Sequence, residues 1–372
     1  MRLLLLLAAL APAAALAETF AYFGTFADGP YVATFDEETG LLGKPQQAAD
    51  VKSPGFVAVS PDGRTLYATG RDGKESVVVA LRITDDGSLS ELNRLEVGGP
   101  GVCHVAVSPD GRTVLAVCYS GGQVASFKAK PDGSLASRAS LLTHEGGSGV
   151  NAKRQGAAHP HSINVSPDSR HAYVCDLGQD RVAIYDLNPK TSKLKPSEPA
   201  EVKTPPGGGP RHMSIRTDGR MAIVNLELTS QVVAYEVDPK TGGLTEIEVE
   251  RTLPKGRMGE TNKTAECLFT PDGKAAAVTN RGPDVLTTFY VLPEPDGRTT
   301  IGPTSHQDTP KTPRGMGVSP DSRWVVVCGQ DDDTVKVYRI DTNGGTLVSG
   351  GQHEHAPPTK IPKPVNVRFV RR

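Results

Sequence analysis

A short apolar run, a polar Ser-Pro-Asp-Gly-like turn and a second apolar run recur six times along this chain. The copies read FVAVSPDGRTLYATG from Phe56, HVAVSPDGRTVLAVC from His104 and SINVSPDSRHAYVCD from Ser162. They continue as HMSIRTDGRMAIVNL from His212, ECLFTPDGKAAAVTN from Glu266 and GMGVSPDSRWVVVCG from Gly315. The turns begin at Ser60, Ser108, Ser166, Arg216, Thr270 and Ser319, at intervals of 48, 58, 50, 54 and 49 residues. Proline presets φ, Asp caps locally and glycine accepts positive φ, so each copy predicts two antiparallel strands joined by a tight turn. A third apolar run follows each pair: VVVALRI, QVASFKA, RVAIYDL, QVVAYEV, VLTTFYV and TVKVYRI. The residues left over allow a fourth, poorer strand. Four strands in a unit of this length predict a propeller blade. No stretch sustains a helical period, which excludes a solenoid of helix pairs.

Six units leave a fragment at each end. PVNVRFVRR, from Pro364, matches a first strand and then stops; TFAYFGTF, from Thr19, matches a second strand, and YVATFDEETGLL a third. Together they predict a seventh blade shared by the two ends of the chain, which closes the ring and removes two open sheet edges. The expected fold is an all-β, seven-bladed propeller of four-stranded antiparallel blades, one domain over residues 18–372.

Ahead of it, MRLLLLLAALAPAAALA places one early charge before an apolar run and a small-residue close at Ala15-Leu16-Ala17. That order is read as a signal peptide over residues 1–17 with export to a periplasm or the medium, and the apolar run is too short for a membrane anchor. Lys and Arg number 41 against 42 Asp and Glu with no run of one sign, which argues against nucleic-acid or anionic-membrane binding. Gly and Pro number 40 and 30, as suits a fold dense in turns. Five widely spaced cysteines without a C-x-x-C are neither a zinc signature nor a disulfide framework, and buried free thiols are expected.

The repeat also serves as a ruler for finding chemistry. Five residues before each turn stand Gly55, Cys103, His161, Arg211, Ala265 and Arg314; four before stand Phe56, His104, Ser162, His212, Glu266 and Gly315. Eleven after stand Arg71, Tyr119, Leu177, Glu227, Arg281 and Gln330. These positions vary while the turns stay nearly constant, and all are expected at one mouth of the central channel. His161, Arg211 with Glu227, and Arg281 lie on three successive blades. A carboxylate flanked by two guanidiniums and an imidazole can act as a base toward water while the arginines hold an oxyanion. The same set also fits a rim salt-bridge network without turnover.

Several segments resemble one family: GVCHVAVSPDGR, CYSGGQV, RQGAAHPHSINVSPD, DLGQDRVAIYDL, GGGPRHMSIRTDGR, NLELTSQVVAYEVDPKTGGL, NRGPDVLTTF and TPRGMGVSPDSR. They look like the seven-bladed lactonases, which include the propeller-type 6-phosphogluconolactonases and the fungal carboxy-muconate lactonising enzymes. The resemblance implies a cofactor-free lactone hydrolase with Glu227 as general base or acid. Arg211 and Arg281 would bind the lactone carbonyl or a substrate carboxylate, and His161 would orient substrate. His104, Tyr119, His159, His212 and Arg314 would form a second tier at the same mouth. Cys118 and Pro283 depart from the family pattern near that mouth. No metal site is expected, because the repeated Asp62, Asp110, Asp168, Asp218, Asp272 and Asp321 are turn residues at the far face. The expected ligand is a small lactone or sugar acid; if export holds, an unphosphorylated sugar lactone is as good a candidate as a phosphorylated one. A non-enzymatic propeller binding a sugar acid or a protein, and a muconate-type cycloisomerase, are the alternatives.

Overall fold

The computed structural model describes residues 18–293, 299–341, 343, 346–348 and 358–372; the expected signal segment, 1–17, lies outside them. The described residues form seven antiparallel sheets arranged as blades. Each repeat contributes its strands in sequence order, as in Pro160–Val165, His171–Asp176, Arg181–Leu187 and Leu194–Lys203, running from the channel outward. Among the described residues no helix is long and apolar enough to cross a membrane.

Burial explains the strand patterns. Second strands such as Thr113–Cys118 and Met221–Leu226 are buried along their whole length, because neighbouring blades cover both faces. They therefore read as continuous apolar runs rather than alternating ones. Outer strands such as Leu135–Thr143 are mostly exposed or half-buried. The core is seven apolar clusters, each shared by two adjacent blades. A blade has no core of its own, so the ring must close for every blade to be covered.

Closure is made as the sequence predicts. Pro364–Arg371 pairs antiparallel with Thr19–Thr25, from Thr19 opposite Arg371 to Thr25 opposite Pro364. The closing blade orders these two strands before Tyr31–Phe35 and Gln46–Gln47. Its Phe20, Tyr22 and Val370 pack into one neighbour, and its Ala21, Phe23 and Val367 into the other.

The repeated turns are held by their own side chains. Ser108 Oγ donates to Asp110 Oδ1 at 2.6 Å and accepts from the Thr113 amide at 3.0 Å. Ser60, Ser166, Thr270 and Ser319 make the same donation to the Asp two residues on. Ser108 is fully buried, so Ser108→Ala strands the Thr113 amide. The expected cost is about 1–2 kcal/mol, read as a lower urea midpoint at unchanged m-value. Wild-type stability in that variant would show the turn to be held by backbone alone. A second turn explains another recurring Asp-Gly: Gly133, at φ +86°, lies against Thr65, and its carbonyl accepts from the Tyr67 hydroxyl at 2.9 Å. All five cysteines are free thiols, and four are buried.

Candidate active site

The residues that vary along the repeat are brought to the channel by a backbone irregularity. In the innermost strands Val102 pairs with Cys118 and His104 with Val117, so Cys103 is an extra residue. His161, Arg211 and Arg314 are extra residues in the same way. Such a β-bulge interrupts the strict alternation of side chains. Two consecutive residues, Arg211 and His212, consequently line one cavity together with Cys103, His161, Arg314 and Arg71. The cavity has a volume of about 130 Å³.

Beside it, Glu227 is the hub of a cationic cluster. Its Oε2 accepts from Arg211 Nε at 3.0 Å and from Arg281 Nη2 at 2.9 Å. Its Oε1 accepts from Arg154 Nη2 at 2.6 Å. Burial pushes the carboxyl upward, but Arg281, Arg211 and Arg154 together outweigh it and hold the group at about 2. Glu227 is therefore a carboxylate at any ordinary pH. Arg211 is only 2% exposed; burial lowers it to about 10, and Glu227 and the Ala265 carbonyl compensate the buried charge. Burial also lowers Arg281 and Arg314 to about 10. Arg314 lies 5.2 Å over the Phe26 ring, and neither it nor Arg71 has a carboxylate partner among the described residues. The mouth thus carries more positive than negative charge.

Three of the four predicted catalytic residues, Arg211, Glu227 and Arg281, are in direct contact. His161 stands apart from Glu227, with its ring 5.3 Å from those of Tyr119 and His212. Tyr119 stacks on His159 at 4.3 Å, and its hydroxyl accepts from Arg154. His104 departs from the expectation: it is not a mouth residue. Its ring packs at 3.9 Å on Phe56 and lines the opposite half of the channel, a cavity of about 520 Å³ shared with Glu266, Asn164 and Arg368. Four residues before a turn lies one layer deeper than five before, and Phe56, His104 and His212 together form the floor between the two halves. Burial drives His104, His161 and His212 well below the usual imidazole range, so all three are neutral at pH 7. Cys118 is fully buried with Sγ toward the Gly99 carbonyl, and Pro283 is buried, so neither lines the mouth cavity.

Arg154 is the residue that the repeat could not supply. It sits between the outer strand ending at Thr143 and the inner strand beginning at Pro160. The signal was the 58-residue interval, the longest of the five. The segment is fixed at both ends. His144 Nδ1 meets Asp176 Oδ2 and its Nε2 meets the Tyr185 hydroxyl, both at 2.6 Å. Gln155, fully buried beside Arg154, donates to the Leu177 carbonyl at 2.9 Å and to Asp180 at 2.6 Å. Among the described residues no group of three or more His, Cys, Asp or Glu is placed to hold a metal ion.

Residues 20–369 match the family described as "Lactonase, 7-bladed beta-propeller". The chain is 28% identical to the 6-phosphogluconolactonase of Bacillus subtilis, over 94% of this chain and 97% of that protein. It is 30% identical to the 6-phosphogluconolactonase of Pectobacterium carotovorum, over 81% and 85%. The solved structure of the periplasmic gluconolactonase of Pseudomonas aeruginosa superposes with a TM-score of 0.85 at 28% identity, over 95% and 99% of the two chains.

Proposed function

Since the chain belongs to the seven-bladed β-propeller lactonase family, we propose that it hydrolyses the ring ester of a sugar lactone at the mouth formed by Arg211, Arg314, His161 and His212. The observation that carries this is the excess of guanidinium groups around a small buried cavity: among the described residues Arg71 and Arg314 lack a carboxylate partner while Arg154, Arg211 and Arg281 share one. Opening a lactone puts negative charge on the carbonyl oxygen, and cations already fixed in a water-poor site stabilise that charge without reorganising. Arg211, which lines the cavity and is locked on Glu227, is assigned to that oxygen. Arg314 and Arg71 take the anionic or polar substituent of the sugar.

Glu227 changes role on this reading. A carboxylate held at about 2 by three cations is a weak proton acceptor. It is assigned as the clamp that sets Arg154, Arg211 and Arg281 rather than as the base.

Two relatives are named for a phosphorylated lactone, and a solved neighbour is a periplasmic gluconolactonase. The order of residues 1–17 supports the exported, unphosphorylated alternative. A panel decides: gluconolactone, its 6-phosphate and a muconate diacid, each followed against the spontaneous reaction. Lactone opening above the blank is expected, and the ratio of kcat/KM for the two gluconolactones identifies the substrate. Turnover of the diacid alone, or of nothing, would overturn the hydrolase assignment.

A further inference from the structure

With Glu227 saturated by arginines, the proton of the attacking water needs another acceptor. We propose that His212, oriented by Glu266, is that acceptor; this rests on the hydrolase reading above. His212 Nδ1 and Glu266 Oε1 are 2.6 Å apart, with side chains 5% and 3% exposed. Both partners are fixed through their backbones. The His212 amide donates to Asn225 Oδ1 at 2.9 Å, and the Glu266 amide donates to Thr279 Oγ1 at 3.0 Å. The Cys267 amide further holds Oε1 at 3.2 Å. A carboxylate on Nδ1 keeps the ring proton on that nitrogen and leaves the Nε2 lone pair free. Nε2 has no hydrogen-bond partner among the described residues, and the ring lines the cavity that holds Arg211 and Arg314.

The other imidazoles described at or near the mouth lack this arrangement. His144 also meets a carboxylate, Asp176, but its second nitrogen is taken by Tyr185, so the trio is structural. His161 faces the cavity, yet its Nδ1 is buried with no partner to orient the ring. His159 is turned toward the Tyr119 carbonyl. The Phe56, His104 and His161 rings stand 5.8, 5.3 and 5.3 Å from that of His212 and confine its orientation. Burial and the nearby arginines lower the proton affinity of His212, so the ring is neutral with a lone pair on Nε2, and the Glu266 carboxylate on Nδ1 offsets that lowering as the proton arrives.

The step balances without a co-reactant. The water oxygen bonds to the lactone carbonyl carbon while His212 Nε2 takes one water proton. The carbonyl pair moves onto the oxygen held by Arg211. When the tetrahedral species collapses, the ring C–O bond breaks with its electron pair on the ring oxygen, and that oxygen takes the proton back from Nε2. Glu266 is the positioning residue and His212 the catalytic one.

The test uses the full-length protein and whichever lactone of the panel it turns over. Glu266→Gln is expected to lower kcat by about 10²-fold or more, the usual weight of a positioned base, with KM within about twofold. Glu266→Asp should recover part of the loss. His212→Gln should match or exceed the loss in Glu266→Gln, and it is measured in the same way if Glu266→Gln does not fold. A folded Glu266→Gln or His212→Gln protein with kcat within about twofold of wild type would overturn the assignment, as would a change confined to KM. Absence of turnover by wild type would instead overturn the hydrolase reading itself.

Discussion

Glu227→Gln is expected to lower kcat/KM by about 10²- to 10³-fold, through both a higher KM and a lower kcat. The carboxylate accepts one hydrogen bond from Arg154 on one oxygen and two, from Arg211 and Arg281, on the other. A glutamine keeps the shape but turns one acceptor into a donor facing guanidinium donors, and it removes the only carboxylate among the described residues in contact with these three cations. Breaking a buried ion pair by changing one partner costs about 3–5 kcal/mol. Where that cost appears in the transition state, about 1.4 kcal/mol is one decade of rate. Arg211 and Arg281 should then repel each other and move, so substrate binding weakens as well as turnover. Steady-state kinetics on the lactone found in the panel, with a urea titration alongside, checks it. Wild-type kinetic constants in a folded Glu227→Gln protein would mean that the clamp does not set the site. The pattern differs from that expected for Glu266→Gln, in which kcat falls alone.

Removing residues 364–372 is expected to abolish cooperative folding and send the protein into the insoluble fraction. The deleted strand contributes the buried side chains Val365, Val367 and Val370. At about 1.5–3 kcal/mol for each buried apolar side chain, the direct loss is about 5–9 kcal/mol. That is as large as the whole stability of many domains, about 5–15 kcal/mol. The deletion also leaves Thr19–Thr25 as an open edge and uncovers two inter-blade clusters at once. It further takes away Asn366 Oδ1, which accepts from the Val57 amide at 3.1 Å and ties the closing blade to the next. Solubility and the calorimetric unfolding transition are the readouts. A soluble variant with a single transition near the wild-type temperature would show that the ring stands without this strand.

Much of this architecture is legible in the sequence. The six turns, the strand runs and the shared closing blade follow from short-range chemistry that repeats. Asp recurs in every turn, followed by Gly in four of them and by Ser169 or Ser322 in the other two, and a strand covered on both faces is apolar along its length. The ruler drawn from the repeat also selected Arg211, Glu227 and Arg281, which do meet. It misplaced His104 because an offset along a strand does not say at which depth of the channel a side chain emerges. It passed over Arg154 because an inserted segment has no counterpart in the other blades to be compared with.

What the sequence determined by itself is the ring: its blade count, its turns and the joining of its ends, since each depends on patterns local to one repeat. The tertiary structure alone decided which side chains meet at the mouth. The bulge at Arg211 brings Arg211 and its neighbour His212 to the same cavity, against the period of two that a strand sequence implies. The pairing of His212 with Glu266, 54 residues apart, arises only when adjacent blades are set side by side. The three cations around Glu227 likewise come from separate parts of the chain and meet it only in the folded ring. A proton affinity is set by the charges and burial around a group, and those neighbours exist only in the closed ring.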